Sequence, residues 1–192
     1  MKPLQVRPLE ASTWPDFADL VERNGGVWGG CWCMGFHPEG VGRGHTPEGN
    51  RATKEARVRA GTAHAALVYT EDGTCVGWCQ FGSPGELPRI KAKRAYEATA
   101  PTPPDWRITC FYVDRGHRKM GVAAAALAGA LDEIARLGGG RVESYPENTE
   151  GRKVSSSFLH TGTLALFEAA GFAPERKIGK DRWVVSRQVA AA

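Results

Sequence analysis

The residue types and spacing best suited to chemistry lie in Asp114-Arg115-Gly116-His117-Arg118-Lys119-Met120-Gly121 and the Ala-rich run after it. A strand pattern ends at Val113 and a helix pattern begins near Gly121. The first turn of a helix leaves backbone N–H groups without partners, and the aligned peptide dipoles add positive potential there. Together they form a natural phosphate site. Gly116 and Gly121 permit tight backbone paths and close approach by a ligand. Ala123 and Ala124 keep the helix start uncrowded, while Arg115, Arg118 and Lys119 add charge at its mouth. The same features also describe an ordinary strand–helix turn with basic neighbours. The turn is not a Walker A loop, because Gly121 is not followed by Lys and Ser or Thr, and it is not a GxGxxG fingerprint.

A second cluster is Cys31-Trp32-Cys33 with His37 and His45. Thiolate and imidazole suit zinc. The Cys-x-Cys spacing is not that of a zinc knuckle, however, and the flanking aromatics favour a buried cluster, so no metal is expected. Cys75, Cys79 and Cys110 fall in strand patterns, where cysteine behaves as a small hydrophobe. Five cysteines is an odd number, and the N-terminal residues lack the apolar core of a secretory signal. Reduced thiols and a cytoplasmic location are expected.

These residues need a scaffold, and 192 residues with 42% hydrophobic and 24% charged content suit one domain over residues 1–192. A net charge of +4 suits an anionic small ligand and is too mild for a nucleic-acid binder. The apolar run at 122–131 is too short to span a membrane. Strands are expected at 4–9, 64–70, 74–81, 107–113, 141–145, 172–178 and 183–189. Glu71-Asp72-Gly73 joins the second and third of these as a hairpin turn. Helices are expected from Ser12 to Asn24 and over 51–60, 90–98, 121–137 and 163–170. The Gly-rich stretch 25–49 carries Trp28, Trp32, Met34 and Phe36 and reads as a packed loop or irregular strand. Residues 146–161 are polar and resist assignment, and the Ala-rich tail is expected to fray. Strand, long helix, strand implies a right-handed crossover and a parallel pair. The fold class is α/β: one mixed sheet with helices on both faces.

Arg118-Lys119-Met120-Gly121-Val122-Ala123 resembles the Gln/Arg-x-x-Gly-x-Gly/Ala signature of the GCN5-related N-acetyltransferase (GNAT) superfamily. Phe111-Tyr112-Val113 resembles that family's fourth strand, and Leu166-Phe167-Glu168-Ala169-Ala170-Gly171-Phe172 its last helix and exit into the sixth strand. The resemblance implies an acyl-CoA N-acyltransferase fold, with a mostly antiparallel sheet opened by a splayed parallel pair. It implies acetyl-CoA as cofactor and an amine as acceptor, with transfer by direct attack. Pantetheine would lie along Phe111, Tyr112 and Val113, and the pyrophosphate against residues from Arg118 and Lys119 through Met120, Gly121, Val122, Ala123 and Ala124. A backbone N–H near Phe111 would receive the thioester oxygen.

The family's usual acid, a tyrosine in the last helix, is Phe167 here, and an insertion at 146–159 precedes that helix. Substitute acids are Tyr145 and His160; candidate bases are Glu143 and Glu86. By the same resemblance Trp28, Trp32, Met34 and Phe36 would line the acceptor wall; the plainer alternative is that they plug the core. The primary reading is acetyl transfer from acetyl-CoA to a primary amine. The rival is a non-catalytic acyl-CoA-binding regulatory or structural module, kept open by Phe167. A homodimer is a common arrangement for such a chain.

Overall fold

The structure, a computed structural model, describes residues 3–99, 102–155 and 158–192. Residues 1–2, 100–101 and 156–157, which fall in the N-terminal segment, the 82–104 excursion and the 146–159 insertion, lie outside the described residues. Strands β1 (Gln5–Pro8), β2 (His64–Tyr69), β3 (Cys75–Gly82), β4 (Trp106–Val113), β5 (Gly140–Ser144), β6 (Ala173–Lys177) and β7 (Trp183–Val189) form one sheet in the order β1-β2-β3-β4-β5-β7-β6. Among the described strands the β4–β5 pair is the parallel one.

Helix α1 (Trp14–Arg23) buries Trp14, Phe17, Leu20 and Val21 on one stripe, and Pro15 sits in its first turn, where a missing N–H costs nothing. The stretch expected to be loop or strand instead makes a kinked single turn, α2 (Val27–Gly30), and a 3-10 turn at Met34–Phe36. Helix α3 (Pro47–Arg59) starts a turn earlier than the sequence pattern indicates, because Thr46 Oγ1 caps the Gly49 N–H at 3.0 Å and Pro47 presets the first turn. A short α4 (Lys93–Glu97) follows in the excursion after β3.

Helix α5 (Val122–Arg136) turns Val122, Ala126, Leu127, Ala130 and Ile134 into the sheet. At Gly129 it crosses β1 so closely that a Cβ would stand 2.3 Å from Val6 Cγ1. The last helix is α6 (Leu164–Ala169), with Thr163 Oγ1 accepting from the Leu166 N–H at 3.2 Å. One apolar cluster lies under α1 and the 27–36 segment, and another under α5 and α6, so the sheet is covered on both faces. The C-terminal tail does not fray: the Ala192 N–H donates to the Ala135 carbonyl at 3.0 Å. Among the described residues no helix is long and apolar enough to cross a membrane.

The feature that positions everything below is a fork between β4 and β5. The two pair only at Trp106↔Val142, Arg107↔Glu143 and Ile108↔Ser144. Against β3 the register jumps from Gln80↔Cys110 to Phe81↔Ile108, which makes Thr109 a bulge in β4. The Ser144 hydroxyl donates to the Ile108 carbonyl at 2.9 Å and closes the crotch of the fork. Beyond it, among the described residues, β4 pairs with no strand on that side. The Phe111 N–H donates instead to the His160 carbonyl at 2.6 Å.

Candidate active site

Past the fork, β4 runs into the turn singled out in the sequence. Asp114 Oδ1 accepts from the Gly116 N–H at 3.1 Å and stabilises a 3-10 turn over Arg115–His117. Asp114 also pairs with Arg23 at 3.2 Å, tying the turn to α1. Its burial favours the neutral acid, but the Gly116 N–H and Arg23 outweigh that and hold the carboxyl below its usual range. Lys119 and Gly121 both take the left-handed conformation, at φ 62° and 79°. This strain on a non-glycine residue turns the chain sharply into α5. Gly121 is the N-cap and has no side chain to cover the first helical N–H groups, which remain available to an anion.

A cavity of about 480 Å³ opens between this turn and the 159–166 segment, lined by Phe111, Tyr112, Val113, Arg118, Lys119 and Ala123 from the predicted cofactor set. Met120, Val122 and Ala124 do not line it. Met120 and Val122 face a separate cavity of about 580 Å³ beside the β2–β3 turn, and Ala124 faces α6. A helix sends successive side chains about 100° apart, so a contiguous sequence motif cannot point wholly into one cavity. The larger cavity is lined by none of the β4 or β5 residues at the fork, and volume alone does not make it a reaction site.

A second cavity, about 440 Å³, lies on the other side of the fork and includes Cys31, Cys33, Phe36, Cys110, Arg89 and Lys91 in its lining. Trp28 and His160 line both cavities, so the two meet there. The Trp28 indole lies edge-on to Tyr112, ring centres 5.8 Å apart, and to the His160 ring at 5.7 Å. Among the described residues, neither lining contains an aspartate or glutamate.

The sequence-derived acid and base candidates separate sharply. His160 is at the junction. Glu143 and Tyr145 are not: both are buried, with Glu143 bonded to Arg141 at 2.6 Å and to the Tyr96 and Tyr145 hydroxyls at 2.8 and 3.0 Å. Burial pushes the Tyr145 phenol well above its ordinary value, with Glu143 adding to the shift and Arg107 opposing it. Among these partners Glu143 is enclosed, and neither it nor Tyr145 lines either cavity. Glu86 closes its own turn, accepting from the Ser83 N–H at 2.8 Å and lying 3.3 Å from His64 Nε2. Burial would raise its carboxyl, but His64 and Ser83 hold it below the usual range.

Of the aromatics expected on the acceptor wall, Trp28 and Phe36 line the second cavity, while Trp32 and Met34 are core residues. Trp32 stacks on Trp14 at 5.9 Å. Phe167 is fully buried, edge-on to Phe111 at 5.9 Å and Phe172 at 5.0 Å. A Cβ on Gly162 would stand 2.8 Å from its ring.

Sequence reasoning missed Lys54, Gln80 and Trp78 beneath the second cavity. Lys54 is 1% exposed and donates to Gln80 Oε1 at 2.6 Å and His37 Nε2 at 3.1 Å. Trp78 Nε1–H donates to Cys33 Sγ at 3.1 Å. A lone lysine in a charged helix looks solvent-facing in sequence, so no local signal marked it.

A sheet forked at its parallel pair, with a helix N-terminus at the mouth of the gap, is the arrangement that the sequence resemblance implies. The model of the acetyltransferase (GNAT) family matches residues 30–154, and the chain belongs to that family. Similar solved structures include a GNAT-family protein of Desulfovibrio desulfuricans, 17% identical over 98% of this chain and 100% of that one, with a TM-score of 0.55. An N-acetyltransferase of Staphylococcus aureus is 14% identical over 100% of both chains, TM-score 0.53. The acetyltransferase yncA of Salmonella typhimurium, solved with its cofactor acetyl-CoA, is 16% identical over 98% of this chain and 94% of that one, TM-score 0.52. At these identities the likeness is one of fold. No curated protein matches the chain.

Proposed function

We propose that the protein transfers the acetyl group of acetyl-CoA to a primary amine. Acetyl-CoA occupies the cavity along Phe111–Val113 with its pyrophosphate against the start of α5, and the amine enters the cavity floored by Cys33 and Cys110. The observation that carries this reading is the meeting of two cavities at Trp28 and His160, beside the β4–β5 fork. One has uncovered helix N–H groups and basic side chains for a diphosphate; the other is a largely apolar recess with Arg89 and Lys91. The reaction breaks the thioester C–S bond and forms an amide C–N bond. His160, at the junction, carries the proton lost by the amine, directly or through water. A thioester oxygen bound by the Phe111 N–H takes the place of the His160 carbonyl, so cofactor entry shifts the 159–161 segment. The protein family and the yncA neighbour with acetyl-CoA support the cofactor assignment.

Thiol release from acetyl-CoA across a panel of amines tests the proposal, alongside calorimetric binding of acetyl-CoA. His160→Gln is expected to lower kcat while leaving acetyl-CoA affinity intact. Binding with no turnover on any amine would favour an acyl-CoA-binding module, the reading that buried Phe167 leaves open. Absence of binding would remove both.

A further inference from the structure

We propose that the acceptor is a small amine that also carries a carboxylate on an apolar frame, an amino acid in chemical class, and that Arg89 and Lys91 hold the carboxylate while the amine faces His160. The inference deepens the reading above and rests on it: acetyl-CoA in one cavity, the amine in the other.

The acceptor cavity, about 440 Å³, combines an apolar wall with two basic side chains. Trp28, Phe36, Val41 and Ile90 contribute to the wall, Arg89 and Lys91 bring the charge, and the lining contains no aspartate or glutamate. Acidic residues on or next to the segments that build it are committed elsewhere. Glu39 pairs with Arg57 at 2.8 Å. Glu86 accepts from the Ser83 N–H at 2.8 Å and lies 3.3 Å from His64 Nε2. A polycationic acceptor would therefore meet two like charges and no carboxylate, an arrangement that selects against it.

Arg89 is held by the chain rather than by a counter-charge. Its backbone N–H donates to the Phe36 carbonyl at 3.2 Å. Its Nε and Nη2 both donate to the Pro38 carbonyl, at 3.2 and 3.0 Å. Gly40 takes the left-handed conformation at φ 70°, and a Cβ there would stand 2.9 Å from Arg89 Cζ. Glycine at this position lets the guanidinium lie against the loop. Both side-chain bonds go to one neutral carbonyl, so the charge stays unbalanced. Among the described residues neither Arg89 nor Lys91 forms an ion pair, and Arg89 Nη1 has no protein acceptor. A guanidinium fixed in advance with its charge to spare binds a carboxylate at a lower ordering cost than a free side chain would.

Phe36 links this charge to the reacting end. Its carbonyl holds the Arg89 N–H, and its ring centre lies 6.1 Å from that of His160. The proton acceptor and the anion site are thus bridged by one residue, a span that a small molecule covers. The apolar frame lies across Phe36 and Trp28, whose indole is 5.7 Å from the His160 ring. A lysine tail on a protein supplies the amine but no carboxylate, and leaves Arg89 unpaired.

The test is acetylation by the full chain of matched amines that differ in the negative charge: phenylalanine against phenylalaninamide, leucine against leucinamide, with spermidine as a polycation. The amides have the less basic amines, so amine reactivity alone favours them. Each acid is nevertheless expected to exceed its amide in kcat/KM about tenfold, with spermidine lowest. Arg89→Gln is expected to erase most of that ratio by raising KM for the acid. Arg89→Lys keeps the charge but not the double bond to Pro38, and should keep part of the ratio. Arg94→Gln changes the net charge equally at a residue outside the lining and should keep all of it. Amides or spermidine at or above the acids in wild type, or a wild-type ratio in Arg89→Gln, overturns the inference and leaves the proposed function standing. Turnover on other amines but on neither acid does the same. Turnover on no amine at all overturns both.

Discussion

Two buried charged clusters flank the β4–β5 fork, and they differ in what balances the charge. Glu143 is surrounded by its complements: Arg141, and the hydroxyls of Tyr96 and Tyr145. The guanidinium groups of Arg107 and Arg176 lie over the Tyr96 ring at 5.6 and 5.3 Å, adding more positive charge. Lys54 has two neutral acceptors, His37 Nε2 and Gln80 Oε1, and among the described residues no carboxylate pairs with it. A carboxylate satisfied on every side holds the sheet together. A cation left without a carboxylate depends on neutral acceptors alone. The residue type that looks more catalytic in sequence, a strand glutamate next to a tyrosine, is the structural one.

The largest expected effect sharpens this contrast. Glu143→Ala strips both tyrosine hydroxyls and Arg141 of a shared acceptor and is expected to cost about 3 kcal/mol of stability by urea unfolding. Acetyl-CoA affinity of the folded variant should be unchanged; a selective loss of turnover instead would return Glu143 to the active site. Next, Gly121→Asp puts charge and bulk against the diphosphate in a left-handed position and should weaken acetyl-CoA binding about a hundredfold by calorimetry.

A third prediction concerns pH. The imidazole of His37 is depressed in the folded state, so the unfolded chain binds a proton that the native chain refuses. Stability is therefore present above pH ~6.5 and lost as pH falls toward about 2, at up to about 1.4 kcal/mol per pH unit from this group. Unfolding of His37→Gln should show a shallower acid slope than wild type, and Glu143→Ala should not; equal slopes in wild type and His37→Gln would sink the assignment. The smallest effect is at the surface. Asp114 has a lowered carboxyl, so its stabilisation is present at neutral pH and fades as pH falls from ~3.9 through the lower folded value. Asp114→Asn should cost less than about 1 kcal/mol at pH 7 and loosen only the turn, measured as faster amide exchange at residues 115–119.

The turn proposed to hold the cofactor was legible as a strand–helix turn in the sequence because its features are local. A helix start, two glycines and three basic residues lie within ten positions, and backbone N–H groups serve whatever the side chains do. The expected mixed sheet also follows from short-range patterns: alternation in 64–70 and 74–81, and a strand, long helix and strand in 107–145. The stretch 25–49 was harder, since neither period applies where left-handed residues succeed one another at Gly25, Gly26, Val27 and Trp28. Trp32 and Met34 looked equivalent to Trp28 and Phe36, yet only the second pair lines the cavity, because strained turns reset which way each side chain points.

By itself the sequence determined the family fold, the strand–helix turn at 114–121, and the absence of a tyrosine at Phe167. Each depends on residue type and on neighbours within a helix or strand. The meeting of Lys54 from α3 with Gln80 from β3 and His37 from a loop was decided only in three dimensions. So was the sequestering of Glu143. Burial sets whether a charge must find a partner, and burial belongs to the packed tertiary structure rather than to any stretch of chain.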